Sequence, residues 1–125
     1  MVRAQQAHVA NGPCDALLAR VDGDLAIFDE LCDLFLEDAP KRIEQLRRAI
    51  ETSDARGVQA AAHAFKGAAG VFEADEVVAA ARQLEHQAGA GDLHDAASRF
   101  ANLEKLSAVL IETIRASRNA VSCRS

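Results

Sequence analysis

The stretch QAAAHAFKGAAG, residues 59–70, carries the side chains of this chain best suited to chemistry. His63 and Lys66 stand three residues apart in a run made almost wholly of alanine and glycine. A neutral imidazole is a nucleophile near pH 7, because its ordinary pKa lies close to neutrality. A phosphoryl group on a ring nitrogen brings negative charge, and an ammonium group one helical turn away can offset it. Transfer of such a group depends on position and electrostatics. A histidine of this kind needs only to be accessible, with a face on which another protein can complete the reaction.

The glycines strengthen that reading. Gly67 and Gly70 each cost a helix interior about 1 kcal/mol relative to alanine, in a chain that uses alanine freely. On a helical wheel with Val58 at zero, Ala61, Ala62, Phe65 and Ala69 fall within about 60°. His63 lies about 140° away, toward water, Lys66 sits at the shoulder, and Gly67 comes at about 180°. Gly67 follows His63 by four residues, so it is the next position along the same face. A missing side chain there lets another surface approach the imidazole. Arg56, Gln59, Ala60 and Gly70 flank the patch. On its own an exposed histidine is most often just a surface residue, and Lys66 could be a lysine snorkelling at the edge of a core stripe.

The elements that must position this patch are helical. The chain has 125 residues, half of them hydrophobic, with five phenylalanines, two prolines and no tryptophan or tyrosine. Residues 1–12 read as a flexible arm, and Pro13 suits the first turn of a short helix. Asp22 or Asp24 caps the next segment. There Phe28, Leu31, Phe35, Ala39, Ile43, Leu46 and Ile50 recur at steps of three and four, in register past Pro40. That register favours one bent helix over two. Ser53 or Asp54 opens the helix of His63. A further helix carries Val77, Ala81, Leu84 and Ala88, with Gly89 as its left-handed end and Asp92 capping the last helix. The stripe of that last helix runs through Leu93, Ala96, Phe100, Leu103, Leu106, Leu110 and Ile114. Four amphipathic helices with short links predict an all-α fold, an antiparallel four-helix bundle with a short extra N-terminal helix. Its expected limits are residues 13–118, with a flexible tail over 119–125.

The flanking pattern, taken with the motif, resembles a known family. His63-Ala64-Phe65-Lys66-Gly67-Ala68 is similar to the H-x-[LF]-K-G-[SA] signature of histidine-containing phosphotransfer (HPt) domains. The likeness extends from about residue 14 to about residue 115, including Phe35-Leu36-Glu37 with Pro40 after it and the Leu84-Glu85 helix end. It implies that His63 accepts a phosphoryl group through its distal ring nitrogen, that Lys66 offsets the charge, and that Gly67 admits the partner. Gln59, Ala60, Gly70 and Glu85 would share the docking face. Glu85 stands where some members have a glutamine near the histidine, and it either orients a ring N–H or is simply solvated. Glu73 follows Phe72 where a glycine is often found, so the turn between the central helices could differ, with Glu73 serving as a helix-start acid.

The same resemblance implies a phosphorelay intermediate of two-component signalling, not an enzyme with its own ATP site. Its partners would be receiver domains with a phosphorylatable aspartate. The Mg²⁺ of the reaction would belong to the receiver, leaving this chain with no cofactor. A hybrid sensor histidine kinase is a further possible partner, and the chain could equally be that kinase's C-terminal domain. The alternative is a helical docking module without relay chemistry. The net charge of −5 argues against nucleic acid as partner. The basic run KRIEQLRR, residues 41–48, either steers an acidic partner or is an ordinary solvated face. Three scattered cysteines suggest reduced thiols and a cytoplasmic setting. No apolar run is long enough to span a membrane, so direct membrane contact is not expected. The histidines, His8, His63, His86 and His94, form no Glu-x-x-His or HExxH, so no metal site is expected. A bundle whose stripes are satisfied internally is expected to be a monomer.

Overall fold

In a computed structural model, residues 12–124 are described, and they form five helices. These are α1 (Pro13–Arg20), α2 (Leu25–Glu51), α3 (Ala55–Gly70), α4 (Asp75–Gly89) and α5 (Ala96–Arg124). Each of α2 to α5 packs on its neighbour in sequence, and α5 closes the ring against α2. The result is a four-helix bundle, with α1 laid against α5 and α2. The arm expected over residues 1–12 lies outside the described residues, apart from Gly12 at the N-cap of α1.

Helix length explains the place of α1. At 1.5 Å per residue, α2 (27 residues) and α5 (29 residues) are each about 40 Å long, against roughly 24 Å for α3 (16 residues) and α4 (15 residues). Part of the apolar stripe on the long pair therefore has no partner in the short pair. The eight residues of α1 bring Cys14 and Leu17, both 1% exposed, into this part of the core.

The core is a single apolar cluster contributed by all five helices. From α2 it takes Phe28, Cys32, Phe35, Ala39, Ile43, Leu46 and Ala49, and the helix passes through Pro40 without interruption. Leu31 and Ile50 sit half-buried at its edges, so Cys32 and Ala49 complete the buried face. Phe35 packs against Phe65 and Phe72, with ring centroids 6.3 and 5.0 Å apart, which fixes the end of α3 on α2. Arg47 joins α2 to α5 through Glu104 at 2.6 Å and lies over the Phe100 ring at 5.1 Å. Most of the basic run is thereby accounted for: Ile43 and Leu46 are core, and Arg47 and Arg48 pair with Glu44.

The helix starts and stops follow local chemistry. Asp24 caps α2 by accepting from the N–H groups of Ala26 and Ile27, and Asp54 caps α3 by accepting from Gly57 N–H. The first four helices end in the same way. In each, a residue with positive φ sends its N–H back three residues, and the next N–H reaches back five, the Schellman pattern. The four residues are Asp22 (φ 54°), Ser53 (φ 55°), Glu73 (φ 54°) and Gly91 (φ 77°).

Several sequence expectations need correction here. Asp22 and Ser53 are helix terminators, not caps of the following helix. Gly89 is the last residue of α4, and Gly91 takes the left-handed position. Glu73 lies before the N-cap of α4, whose first-turn acids are Asp75 and Glu76, so it is not a helix-start acid. The turn it occupies is the ordinary one, with a non-glycine residue in it. Leu93 precedes α5, since Asp92 caps only the turn to His94. The buried stripe of α5 then runs through Ser107, with Leu106 half-buried beside it. Ser107 is tolerated because its hydroxyl donates to Leu103 O at 2.7 Å. Finally, α5 does not stop at residue 118: it continues to Arg124, and Val121 is buried.

Candidate functional site

The site is built on the antiparallel pair α3 and α4, the most extensively packed neighbours in the fold. Val58, Ala62, Phe65 and Ala69 bury one face of α3, and Val77, Ala81, Leu84 and Ala88 bury one face of α4. Both sets are rich in alanine, so the two backbones lie close. That proximity lets a side chain on one helix reach polar groups on the other. His63 projects from the outer edge of α3 with its side chain 67% exposed.

Glu85 of α4 reaches across to it. Glu85 Oε2 lies 2.7 Å from His63 Nδ1, and Glu85 Oε1 lies 2.6 Å from Lys66 Nζ. A carboxylate can only accept, so the proton of this bond sits on Nδ1. In the neutral ring Nε2 then carries the lone pair. The Lys66 ammonium, and to a lesser extent the His63 bond, hold the Glu85 carboxyl below its usual range against the opposing effect of burial. Lys66 and Glu85 are mostly covered, at 25% and 20% exposure, while the imidazole stands out in solvent.

The surroundings of His63 are low. A Cβ added at Gly67 or Gly70 would meet no heavy atom within 4 Å, so neither glycine is required by packing inside the bundle. Gln59 lines a cleft with Glu85, Arg82, His86, Gly89 and Ala90 on the α4 side. Ala60 looks the other way, into a groove shared with Gln45, Arg48 and Ala64. Further along the same side, Leu31, Leu34 and Phe35 of α2 meet Ala68, Val71 and Phe72 in a shallow recess. The residues singled out in the sequence thus divide. His63, Lys66 and Glu85 are brought into direct contact, Gly67 and Gly70 border open space, and Gln59 and Ala60 lie on opposite flanks. Arg82 and His86 line the same cleft, although the sequence did not mark them as part of the docking face. Arg82 precedes Glu85 by three residues on α4, so its place beside that carboxylate follows from helix periodicity once Glu85 is given a role.

Among the described residues, no group of three or more His, Cys, Asp or Glu side chains could hold a metal ion. No described helix is long and apolar enough to cross a membrane.

An all-helical bundle that presents one exposed, carboxylate-oriented histidine beside a lysine has the form of a phosphotransfer domain. The family model described as the Hpt domain matches residues 30–120, and the chain belongs to that family. It is a phosphorelay histidine-phosphotransfer domain of two-component signalling, a carrier and not a kinase, and its partners are response-regulator receiver domains. Among solved structures it is similar to histidine-containing phosphotransfer protein B (HptB) from Pseudomonas aeruginosa PAO1. The TM-score is 0.78 and the identity 24%, over 84% of this chain and 91% of that one. That likeness is one of fold. No curated protein sequence matches the chain.

Proposed function

We propose that His63 is the phosphoryl acceptor and that Nε2 is the reacting atom. The observation that carries this is the 2.7 Å bond from Nδ1 to Glu85 on a ring that is otherwise exposed. With the proton held on Nδ1, Nε2 needs no base to free its lone pair. It attacks the phosphorus of a receiver's aspartyl phosphate, the P–N bond forms, and the P–O bond breaks with the aspartate leaving as carboxylate. The positive charge that develops on the ring is met by Glu85 at Nδ1. Lys66 supplies the nearest cation for the phosphoryl oxygens, and the bare surface at Gly67 and Gly70 leaves room for the receiver. Transfer onward to another receiver, or back, is the same step reversed.

In this reading the Mg²⁺ and the remaining catalytic groups belong to the receiver, and this domain has neither cofactor nor ATP site. It works in the cytoplasm as a monomer, as an independent protein or as the C-terminal domain of a hybrid sensor kinase. Gln59 and Ala60 border the docking face on its two flanks. The test is incubation with a phosphorylated receiver, then measurement of acid-labile phosphate on the unsubstituted chain and on His63→Gln. Label on the first alone is expected. Label on both rules His63 out as the acceptor, and label on neither with every receiver of the source organism leaves a docking module.

A further inference from the structure

Cys14 and Cys32 meet beneath α1, outside the relay motif and on helices that do not carry it. Cys14 is the second residue of α1 and is 1% exposed, and Cys32 of α2 is 0% exposed. Both are free thiols close enough for each to act on the other's ionisation, and the single S–H of Cys14 is donated to Ile114 O at 3.5 Å. The pair is polarised. The closeness of the two sulfurs pushes the Cys14 thiol up, with burial acting in the same direction, and holds the Cys32 thiol below its ordinary value. The Arg118 guanidinium adds to the lowering at Cys32, while burial and the Asp29 and Asp33 carboxylates oppose it. Arg118 is itself held by Asp33 at 2.5 Å and Asp29 at 3.6 Å. Of the two thiols Cys32 is the one biased toward the thiolate, the nucleophilic form.

The cover over these thiols is slight. An eight-residue helix is not stable alone, and the N-cap of α1, Gly12, supplies no side-chain hydrogen bond. Beyond Cys14 and Leu17, α1 is held by the half-buried Leu18 and by the Arg20–Glu73 pair at 3.7 Å, an exposed contact that contributes little. Because Cys14 lies in the first turn, unwinding that turn is enough to lift Cys14 out of the core. Helix α1 also precedes the residues matched by the family model, whereas Cys32 falls within them.

We propose that Cys14 and Cys32 form a redox modification site, in which a peroxide joins the two thiols as a disulfide and ties α1 to α2. The Cys32 thiolate attacks one oxygen of hydrogen peroxide. An S–O bond forms, the O–O bond breaks, and hydroxide leaves. Cys14 then attacks the Cys32 sulfenic sulfur, the S–S bond forms, and the sulfenic oxygen departs as water once the Cys14 proton is counted. Two thiols and one peroxide give one disulfide and two waters.

The test uses the full reduced chain, treated with hydrogen peroxide, denatured and alkylated with a maleimide. The expected product carries one alkyl group, on Cys123, against three on the untreated chain. Peptide mapping should join Cys14 to Cys32, and a dithiol reductant should restore all three sites. Closing this loop should raise the melting midpoint of the oxidised chain by about 5–10 °C. In Cys14→Ala the midpoint should no longer rise with peroxide. Three alkyl groups after peroxide, a bridge that involves Cys123, or a bridged chain whose midpoint does not rise would each overturn the proposal. The unsubstituted chain decides the matter, even where a cysteine variant fails to fold.

Discussion

Removing the Glu85 carboxylate tests the orientation of His63 most directly. A hydrogen bond to a charged group is worth about 1.5–3 kcal/mol when protected from water. Here the imidazole is 67% exposed and Glu85 20% exposed, so screening matters. A contribution of about 1 kcal/mol is the appropriate scale for such a pair. At 25 °C that is a factor of about 5 in the population of the ring form with its proton on Nδ1. Glu85→Ala should therefore slow phosphoryl acceptance from a phosphorylated receiver by about fivefold, with the label still on histidine. Glu85→Gln keeps an oxygen able to accept the Nδ1–H and should recover most of that loss.

Two measurements on the same variants make the reasoning refutable. Time courses of transfer give the rate, and ¹⁵N NMR of the imidazole nitrogens gives the tautomer. Both variants also release Lys66 from its 2.6 Å contact with Glu85. A defect caused by lost anchoring of Lys66 would therefore appear equally in both, whereas a defect of ring orientation should be largely rescued by glutamine. If Glu85→Ala transfers at the unsubstituted rate with Nδ1 still protonated, the carboxylate is not what sets the reactive nitrogen.

Gly67→Gln should leave the helical circular dichroism signal nearly intact, since a Cβ there meets no heavy atom, yet slow transfer by filling the approach to His63; unchanged kinetics would show that the partner comes from another side. Glu73→Gly should stabilise the fold by up to about 1 kcal/mol in chemical denaturation, because it removes a positive-φ strain at 54° and forfeits only the exposed pair with Arg20. The Glu85 carboxyl, followed by ¹³C NMR, should titrate with a midpoint below the ordinary 4.5. Its contribution to stability is then complete above that value and is lost as pH falls through the lower folded-state midpoint. Lys66→Ala should move the midpoint back toward 4.5 further than His63→Gln does, since Lys66 is the larger cause of the shift.

What was legible in the sequence is what a single helix decides. The stripe Val58, Ala62, Phe65, Ala69 fixes which side of α3 is buried, and hence that His63 and Gly67 face outward. Asp54 is readable as a cap because its chemistry acts three residues away. Terminators were harder. Asp22, Ser53 and Glu73 adopt the left-handed geometry that glycine marks in a sequence, and they do so because the Schellman bonds outweigh a local cost of roughly 1–2 kcal/mol. Ser107 in the α5 core was also hidden, because its partner is a carbonyl four residues back in its own helix. The extension of α5 to Arg124 was missed because the expected stripe ended at Ile114. The cover that α1 places over this end, through the contact of Cys14 with Ile114 O, appears only in three dimensions.

Glu85 marks the boundary between the two kinds of information. From its own helix it reads as a polar residue beside Leu84, with no more reason to act than Gln83 or Gln87. Its role depends on the distance between α3 and α4, which the alanines at 62, 69, 81 and 88 keep short. Larger residues at those positions would preserve both amphipathic patterns and still separate Oε2 from Nδ1. The small residues of QAAAHAFKGAAG therefore act on two sides of one helix. Outward, the glycines leave space for a receiver. Inward, the alanines bring a carboxylate within 2.7 Å of the ring nitrogen that must keep its proton.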